Sequence, residues 1–385
     1  MIKRCLETPL RKAAAHYPVV CLSGPRQSGK TTLVQSIWPD KRYVSLEDPD
    51  QLEFASSDPR GFLEQAGDAG MILDEAQRLP PLFNYLQGYA DRSAKGAYIL
   101  TGSNNFLLME GISQSLAGRA AILHLLPFCA AELGAGSLGD DWESCAYCGF
   151  YPRVRADGLP PDMFSRDYLA TYVERDVRLV RNIQDQSAFR AFLKLCAGRA
   201  GQALNVQSMA HDAGISVNTA KDWLGLLEAA FLVFLVRPWN ESFNKRLVKS
   251  PKLYWLDTGL LCRLLDIRAP GDLAFHAARG AVFENLLMAE RWKAGWHRGE
   301  EPAVWFWRDN NGVEVDLVDE RDRIVRLWEA KAGKTIAHDM FAGLESVGTL
   351  AGIPADRRFL VYGGQEAQTR RSARVLPWST ALVMD

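Results

Sequence analysis

From Val19 to about Leu126, short apolar runs alternate with stretches of helical spacing: VVCLS, TTLVQSIW, YVSL, MILDE, YILTGS and ILHLL. Short apolar strands bounded by Gly and polar turns, with helices between them, predict an α/β parallel sheet covered on both faces. From about Met163 to Glu228 the period lengthens. SRDYLATYVERDVRLV, FRAFLKLC and TAKDWLGLLEAA place apolar residues at helical intervals, so this segment is expected to be all-helical. Beyond Pro238 the pattern mixes again, with strands expected at KLYWL, VWFWR, VEVDLV, IVRLWEA and RFLVYG around helices at AVFENLLMAERWKAG and HDMFAGLESVG. Leu133 to Asp141 and Ala156 to Asp162 read as loops, the second as a domain boundary. The expected organisation is therefore 1–160, 161–240 and 241–385.

The chain has 385 residues, enough for more than one hydrophobic core. Its 48% hydrophobic and 24% charged residues exclude intrinsic disorder. Lys plus Arg (45) nearly balance Asp plus Glu (46), so any polyanion site must be a local patch. The longest purely apolar stretch, Ala229 to Val236, is too short to span a bilayer, and no membrane partner is expected. The N-terminus lacks the apolar core of a signal peptide, which suggests a cytoplasmic location. Seven cysteines at scattered positions form no disulfide framework. Cys145 and Cys148 make a lone CxxC with no second ligand pair nearby, better read as small apolar side chains than as zinc ligands.

Gly24-Pro25-Arg26-Gln27-Ser28-Gly29-Lys30-Thr31, followed by Thr32, matches G-x-x-x-x-G-K-[ST] between a strand and a helix. This is a phosphate cradle. Backbone N–H groups and the helix N-terminus receive the phosphates of ATP, Lys30 reaches the β and γ phosphates, and the Thr31 hydroxyl ligates Mg²⁺. Met71-Ile72-Leu73-Asp74-Glu75 supplies a buried strand ending in two acids, Asp74 for the metal and Glu75 to polarise the attacking water. The next strand ends at Thr101-Gly102-Ser103-Asn104, where Ser103 or Asn104 could sit between Glu75 and the γ phosphate, or simply form a polar turn. Arg119 is a candidate arginine finger from its own or a neighbouring subunit, which would require a homo-oligomer; a surface ion pair is the alternative.

GPRQSGKTT, MILDEAQ, ILTGSNN and SLAGR resemble the AAA-type ATPases of bacteria and archaea that carry a C-terminal domain of unknown function. The resemblance continues through TYVERDV, LNVQSMAHDAGISVNTAKDWLGLLE, NKRLVKSPKLYWLDTGL, GAVFENLL and EVDLV to EAKAGK. It implies a P-loop NTPase sheet of AAA-like type, a helical and winged-helix segment, and a restriction-endonuclease-like α/β domain.

Gln207 to Glu228 fits a helix-turn-helix with Gly214 at the turn. Its second helix would offer Asn218 and Lys221 to bases, with Asp222 unfavourable to phosphate; a helical packing module is the other reading. Lys245, Arg246, Lys249 and Lys252 follow within eight residues, either a phosphate-backbone contact for DNA or a solvated turn. In the last third, Glu284 lies on an expected helix, Asp316 on an alternating strand after the Asp309-Asn310-Asn311-Gly312 turn, and Glu329 and Lys331 on the next strand. Strand alternation puts Glu329 with Lys331, and Glu314 with Asp316, on shared faces. This fits the PD-(D/E)XK nuclease pattern: Asp316 and Glu329 hold Mg²⁺, Glu284 completes its shell, and Lys331 steers the nucleophile. The expectation is an ATP-hydrolysing ATPase acting on nucleic acid through a metal-dependent nuclease. The competing expectation is an ATP-controlled switch that binds DNA or protein without cutting.

Overall fold

The computed structural model describes residues 2–103, 115–177, 183, 185–239 and 249–384. Asn104, Lys245 and Arg246, named above, lie outside these residues. The chain divides into two compact units, the first Met1–Phe128 with Ala229–Phe231 and Trp296–Glu301, the second Cys129–Glu228, Leu232–Gly295 and Pro302–Asp385.

In the first unit, α1 (Glu7–His16) precedes β1 (Val19–Ser23), α2 (Lys30–Ile37), β2 (Arg42–Ser45), α3 (Pro49–Ser57), α4 (Pro59–Glu64), β3 (Met71–Asp74), α5 (Leu82–Ala90), β4 (Tyr98–Gly102) and β5 (Ala120–His124). The strands form one parallel sheet in the order β2-β3-β4-β1-β5. Both faces are buried. Val19, Cys21, Leu73 and Leu100 enter one core cluster, while Val20, Leu22, Ile72 and Ile99 enter another with Leu33 and Val34 of α2. Two Asp-Pro pairs start helices as their chemistry requires: the Asp48 and Asp58 side chains accept the amides of Asp50 and Gly61, with Pro at the first helical position.

After a short turn of helix at Ala130–Leu133, the second unit contains α6 (Trp142–Cys148), α7 (Pro161–Tyr168) and a π-helical stretch, Leu169–Val177. Next come α8 (Gln186–Gly198), α9 (Val206–Asp212) and α10 (Val217–Ala229), then β6 (Val233–Val236) paired antiparallel with β7 (Lys252–Trp255). The segment near Ala200 also bridges β7, with the Gly201 amide donating to the Leu253 carbonyl at 2.8 Å. After α11 (Thr258–Leu264) and α12 (Arg279–His297), a mixed sheet ordered β12-β13-β11-β10-β9-β8 is built from β8 (Val304–Arg308), β9 (Glu314–Arg321), β10 (Ile324–Lys331), β11 (Arg358–Tyr362), β12 (Gln368–Thr369) and β13 (Arg374–Pro377). α13 (Ala342–Leu350) packs on its centre and α14 (Trp378–Val383) closes the chain.

Residues 129–160 pack with the second unit rather than the first, so the structural division comes before the expected loop at 156–162. The Asp257 carboxylate explains part of this. It caps α11 by accepting the Leu260 amide and also accepts the Phe150 amide at 2.7 Å, and Gly149 lies too close to it for any Cβ. Trp142 meets Phe283 edge-on, and the buried Cys145 receives an Arg155 N–H. Among the described residues, no helix is long and apolar enough to cross a membrane.

Candidate functional site: a phosphate cradle and an acid–lysine cluster

The loop from Gly24 to Gly29 leaves the C-terminal end of β1, which lies between β4 and β5. Such a position is where parallel α/β sheets place their ligands. Gly24 packs so tightly on the residue that follows β5 that a Cβ would sit 2.1 Å from the Leu125 carbonyl oxygen. Gln27 (φ 61°) and Gly29 (φ 92°) are left-handed, the conformations that curl the loop. The Arg4 guanidinium ties this turn down, donating to Ser28 O at 2.8 Å and to Leu126 O at 2.6 Å. Lys30 is buried and its ammonium donates to Gly24 O (2.9 Å) and Pro25 O (2.8 Å). Burial pulls its pKa down to about 8 although Glu75 and Asp74 pull the other way. Arg26 projects outward, 3.9 Å from Glu47.

At the end of β3, Asp74 is a junction. Its Oδ2 accepts the Thr31 hydroxyl (2.8 Å) and the Tyr43 hydroxyl (2.7 Å), and its Oδ1 accepts the Thr101 hydroxyl and the Glu75 amide. Thr31 and Asp74, the expected metal pair, are thus already joined, and their hard oxygens suit Mg²⁺. Glu75 stands in the left-handed region at φ 52°, uncommon for a non-glycine residue and a place where strain collects at working sites. Its Oε2 accepts the Ser103 hydroxyl at 3.0 Å and the Gln77 amide. Ser103, one of the alternatives left open by the sequence, therefore reaches Glu75. Arg119 does not. It precedes β5 at the end of the sheet where β1 begins, with its carbonyl accepting the Val19 amide, about 15 Å of strand away from the cradle. It forms a bidentate pair with Asp91, at 2.6 and 3.0 Å. Within the chain Arg119 thus takes the ion-pair alternative and stands apart from the cradle.

The second assembly lies on β7, α12, β9 and β10. Asp309 accepts the amides of Asn311 and Val313, Gly312 takes φ 86°, and the hairpin expected at Asp309 to Gly312 joins β8 to β9. The antiparallel register that sets Trp328 against Leu317 continues so that Glu329 lies beside Asp316, and the Ala330 amide donates to Asp316 Oδ2 at 2.8 Å. Lys331 donates to Glu329 Oε1 at 2.6 Å, and Glu329 Oε2 is buried with no hydrogen-bond partner among the described residues. Glu284 does join the group, but its Oε1 is taken by Lys252 (2.8 Å) and the Tyr254 hydroxyl (2.6 Å). The Lys252 ammonium, only 2% exposed, also meets Glu314 at 2.6 Å, and Arg308 lies 3.3 Å from Glu314.

The electrostatics follow from burial. Burial, then Asp316, raise Glu284 to about 7 against the pull of Lys252; burial, then Asp316, raise Glu329 to about 8 against Lys331. Burial lowers the Lys331 ammonium, but Glu329 and Asp316 more than offset it and leave it above its ordinary value. Hard carboxylate oxygens and an orphaned buried Oε2 fit a divalent ion at Asp316 and Glu329. Glu284 is less available to an ion, because its Oε1 already accepts from Lys252 and Tyr254.

Three protein-family models match the chain in sequence: an AAA domain over residues 16–134, a domain of unknown function (DUF8612) over 139–271, and a domain of unknown function (DUF4143) over 279–381. Two curated relatives, the uncharacterized proteins Rv2008c of Mycobacterium tuberculosis and Mb2031c of Mycobacterium bovis, are each 30% identical over 324 residues, covering 81% of this chain and 69% of the relative. The chain belongs to the same family as these two mycobacterial proteins. Among solved structures, the Walker-type ATPase paby2304 of Pyrococcus abyssi aligns over 67% of this chain and 94% of its own at 16% identity and a TM-score of 0.46. The AMPPCP-bound DnaA of Aquifex aeolicus aligns over 58% and 85% at 16% identity and a TM-score of 0.30.

In this family member the cradle, Asp74, Glu75, Ser103 and Arg119 all fall in the AAA domain, whereas the acid–lysine cluster is shared: Glu284, Asp316, Glu329 and Lys331 lie in the DUF4143 match, Lys252 and Tyr254 in the DUF8612 match. Asn218 and Lys221 are exposed on α10, and Lys249 of the basic stretch is exposed before β7. Lys252 of the same stretch is instead buried among carboxylates rather than part of a basic surface. Sequence reasoning also passed over Arg4, Tyr43, Gln77 and Thr101. Thr101 could have been found, since its strand neighbours the Asp74 strand and its hydroxyl is the polar group of an otherwise apolar run.

Proposed function

We propose that this AAA-domain protein hydrolyses ATP and uses the cycle to act on nucleic acid, with metal-dependent phosphodiester cleavage at Asp316, Glu329 and Lys331. The observation that carries the ATPase reading is the continuous hydrogen-bonded chain from Thr31 through Asp74 to Glu75 and Ser103. In it, the loop from Gly24 to Thr32 holds the phosphates and Thr31 and Asp74 hold Mg²⁺, which supplies charge neutralisation when bound. Lys30 leaves the Gly24 and Pro25 carbonyls for the β and γ phosphates. Glu75 takes a proton from the attacking water, and Ser103 and Gln77 fix which oxygen does so. Lys30→Ala is expected to weaken nucleotide binding, whereas Glu75→Gln retains ATP and stops turnover; unchanged hydrolysis in Glu75→Gln removes Glu75 from the role of base.

For the second unit, the pairing of Glu329 with Asp316 across adjacent strands, with Lys331 two residues on, supports the restriction-endonuclease-like reading. The order α8, bridge at Ala200, α9, α10, β6, β7 supports a winged helix, with Lys249 exposed just before β7. DNA would contact Asn218, Lys221 and Lys249. A second reading, a binding switch that cuts nothing, is favoured by the engagement of Glu284 with Lys252. Cleavage assays with a Lys331→Ala control separate the two.

A further inference from the structure

Lys252 has no place in the nuclease pattern, yet it is more completely buried than any of the acids around it. Its ammonium lies 2.8 Å from Glu284 Oε1 and 2.6 Å from Glu314 Oε1, and its position 5.3 Å over the Phe306 ring excludes water from the remaining side. An ammonium out of water persists only where carboxylates surround it. β7 delivers it: Lys252 and Tyr254 are two residues apart, so both face α12 and both donate to Glu284 Oε1. The cations are unevenly spread. Glu284 and Glu314 are served by Lys252 and Arg308, whereas on the other side Asp316 Oδ2 takes a backbone amide, and Glu329, 92% buried, keeps Oε2 without a hydrogen-bond partner among the described residues after Lys331 has taken Oε1. The first turn of α13 closes over this side so tightly that a Cβ on Gly343 would lie 3.6 Å from that Oε2 and 2.1 Å from the Glu314 carbonyl oxygen.

We infer that Lys252 is a resident cation standing beside Glu284 and Glu314 where a second divalent ion would otherwise bind, so that the cluster accepts one ion, at Asp316 and Glu329. This rests on the metal-site reading above. It also makes the site a joint product of two domains, since Lys252 falls in the DUF8612 match and the acids around it in the DUF4143 match.

Mn²⁺ bound to the full, nucleotide-free chain, with Asp74→Asn present throughout so that the cradle takes no ion, is counted by electron paramagnetic resonance of the free ion and by calorimetry. The expected count is one ion for the otherwise wild-type chain, none for Asp316→Asn, and two for Lys252→Met, which keeps the side-chain volume while removing the charge. Lys252→Arg keeps the charge and stays at one. Two ions on the wild type, or one on a folded Lys252→Met, overturns the inference. No ion on any of these proteins overturns the metal-site reading itself. If Lys252→Met fails to fold, the wild-type and Lys252→Arg counts still decide, because two ions on either contradict a resident cation.

Discussion

Replacing Ser103 by Ala removes a single hydroxyl that donates to Glu75 Oε2 at 3.0 Å from a site only 4% exposed. A hydrogen bond to a charged acceptor contributes about 1.5–3 kcal/mol. If that bond holds the carboxylate in line for the water as the proton moves, its loss lowers kcat by about 10- to 150-fold at 1.36 kcal/mol per decade. The Gln77 amide, which shares the same oxygen, retains part of the orientation, so the lower half of that range is expected. ATP affinity should stay within about twofold, because the Ser103 hydroxyl donates to Glu75 and its loss falls on the transition state alone. Phosphate release measured at saturating ATP, beside titration with a fluorescent ATP analogue, reads the two quantities separately. In a Glu75→Gln background Ser103→Ala should add little, since residues acting as one unit are not additive. Wild-type kcat in Ser103→Ala, or an affinity loss as large as the loss in kcat, would refute the reasoning.

Arg4→Met removes the guanidinium bonds to Ser28 O and Leu126 O and should cost about 2–4 kcal/mol of stability while weakening ATP binding, read by thermal melts with and without nucleotide. Because the free Lys30 ammonium is depressed to about 8 by burial, and ATP requires it charged, the bound state holds more protons than the free one above that pH. Affinity should therefore be flat below pH 7 and fall by up to about tenfold per unit above pH 8; a flat titration to pH 9.5 contradicts this. Gly343→Ala drives a Cβ into the Glu314 carbonyl and should destabilise the second unit by about 1–3 kcal/mol or more in urea unfolding, with the ATPase activity of the first unit as the internal control. Arg119→Ala should leave ATP affinity within about twofold of wild type, since its partner is an exposed Asp91; an effect on kcat that appears only as protein concentration rises assigns it to a neighbouring copy.

The parallel sheet was legible because each of its strands is a short apolar run whose two faces are both buried, and the cradle because its glycines and Lys30 must stand at fixed spacing between a strand and a helix. Strand alternation likewise foretold the shared face of Glu329 and Lys331. Long-range pairings were not legible. Arg119 and Ser103 both sit next to parallel strands, but only β-strand direction says which end of the sheet each occupies. Lys252 reads as part of a basic run because its neighbours in sequence are charged; its burial is set by β6, α12 and β9, which come from distant parts of the chain. Residues 129–160 look like an extension of the ATPase domain until the Asp257 carboxylate, more than a hundred residues later, is seen to hold the Phe150 amide.

The most direct test of the whole account is incubation of the purified full chain with single-stranded and duplex DNA, in Mg²⁺ or Mn²⁺, with and without ATP, beside Lys331→Ala and Asp316→Asn. The account predicts cleavage that requires the metal, changes with ATP and disappears in both variants. Continued ATP hydrolysis with no cleavage under any of these conditions contradicts it and leaves the second unit as a binding domain.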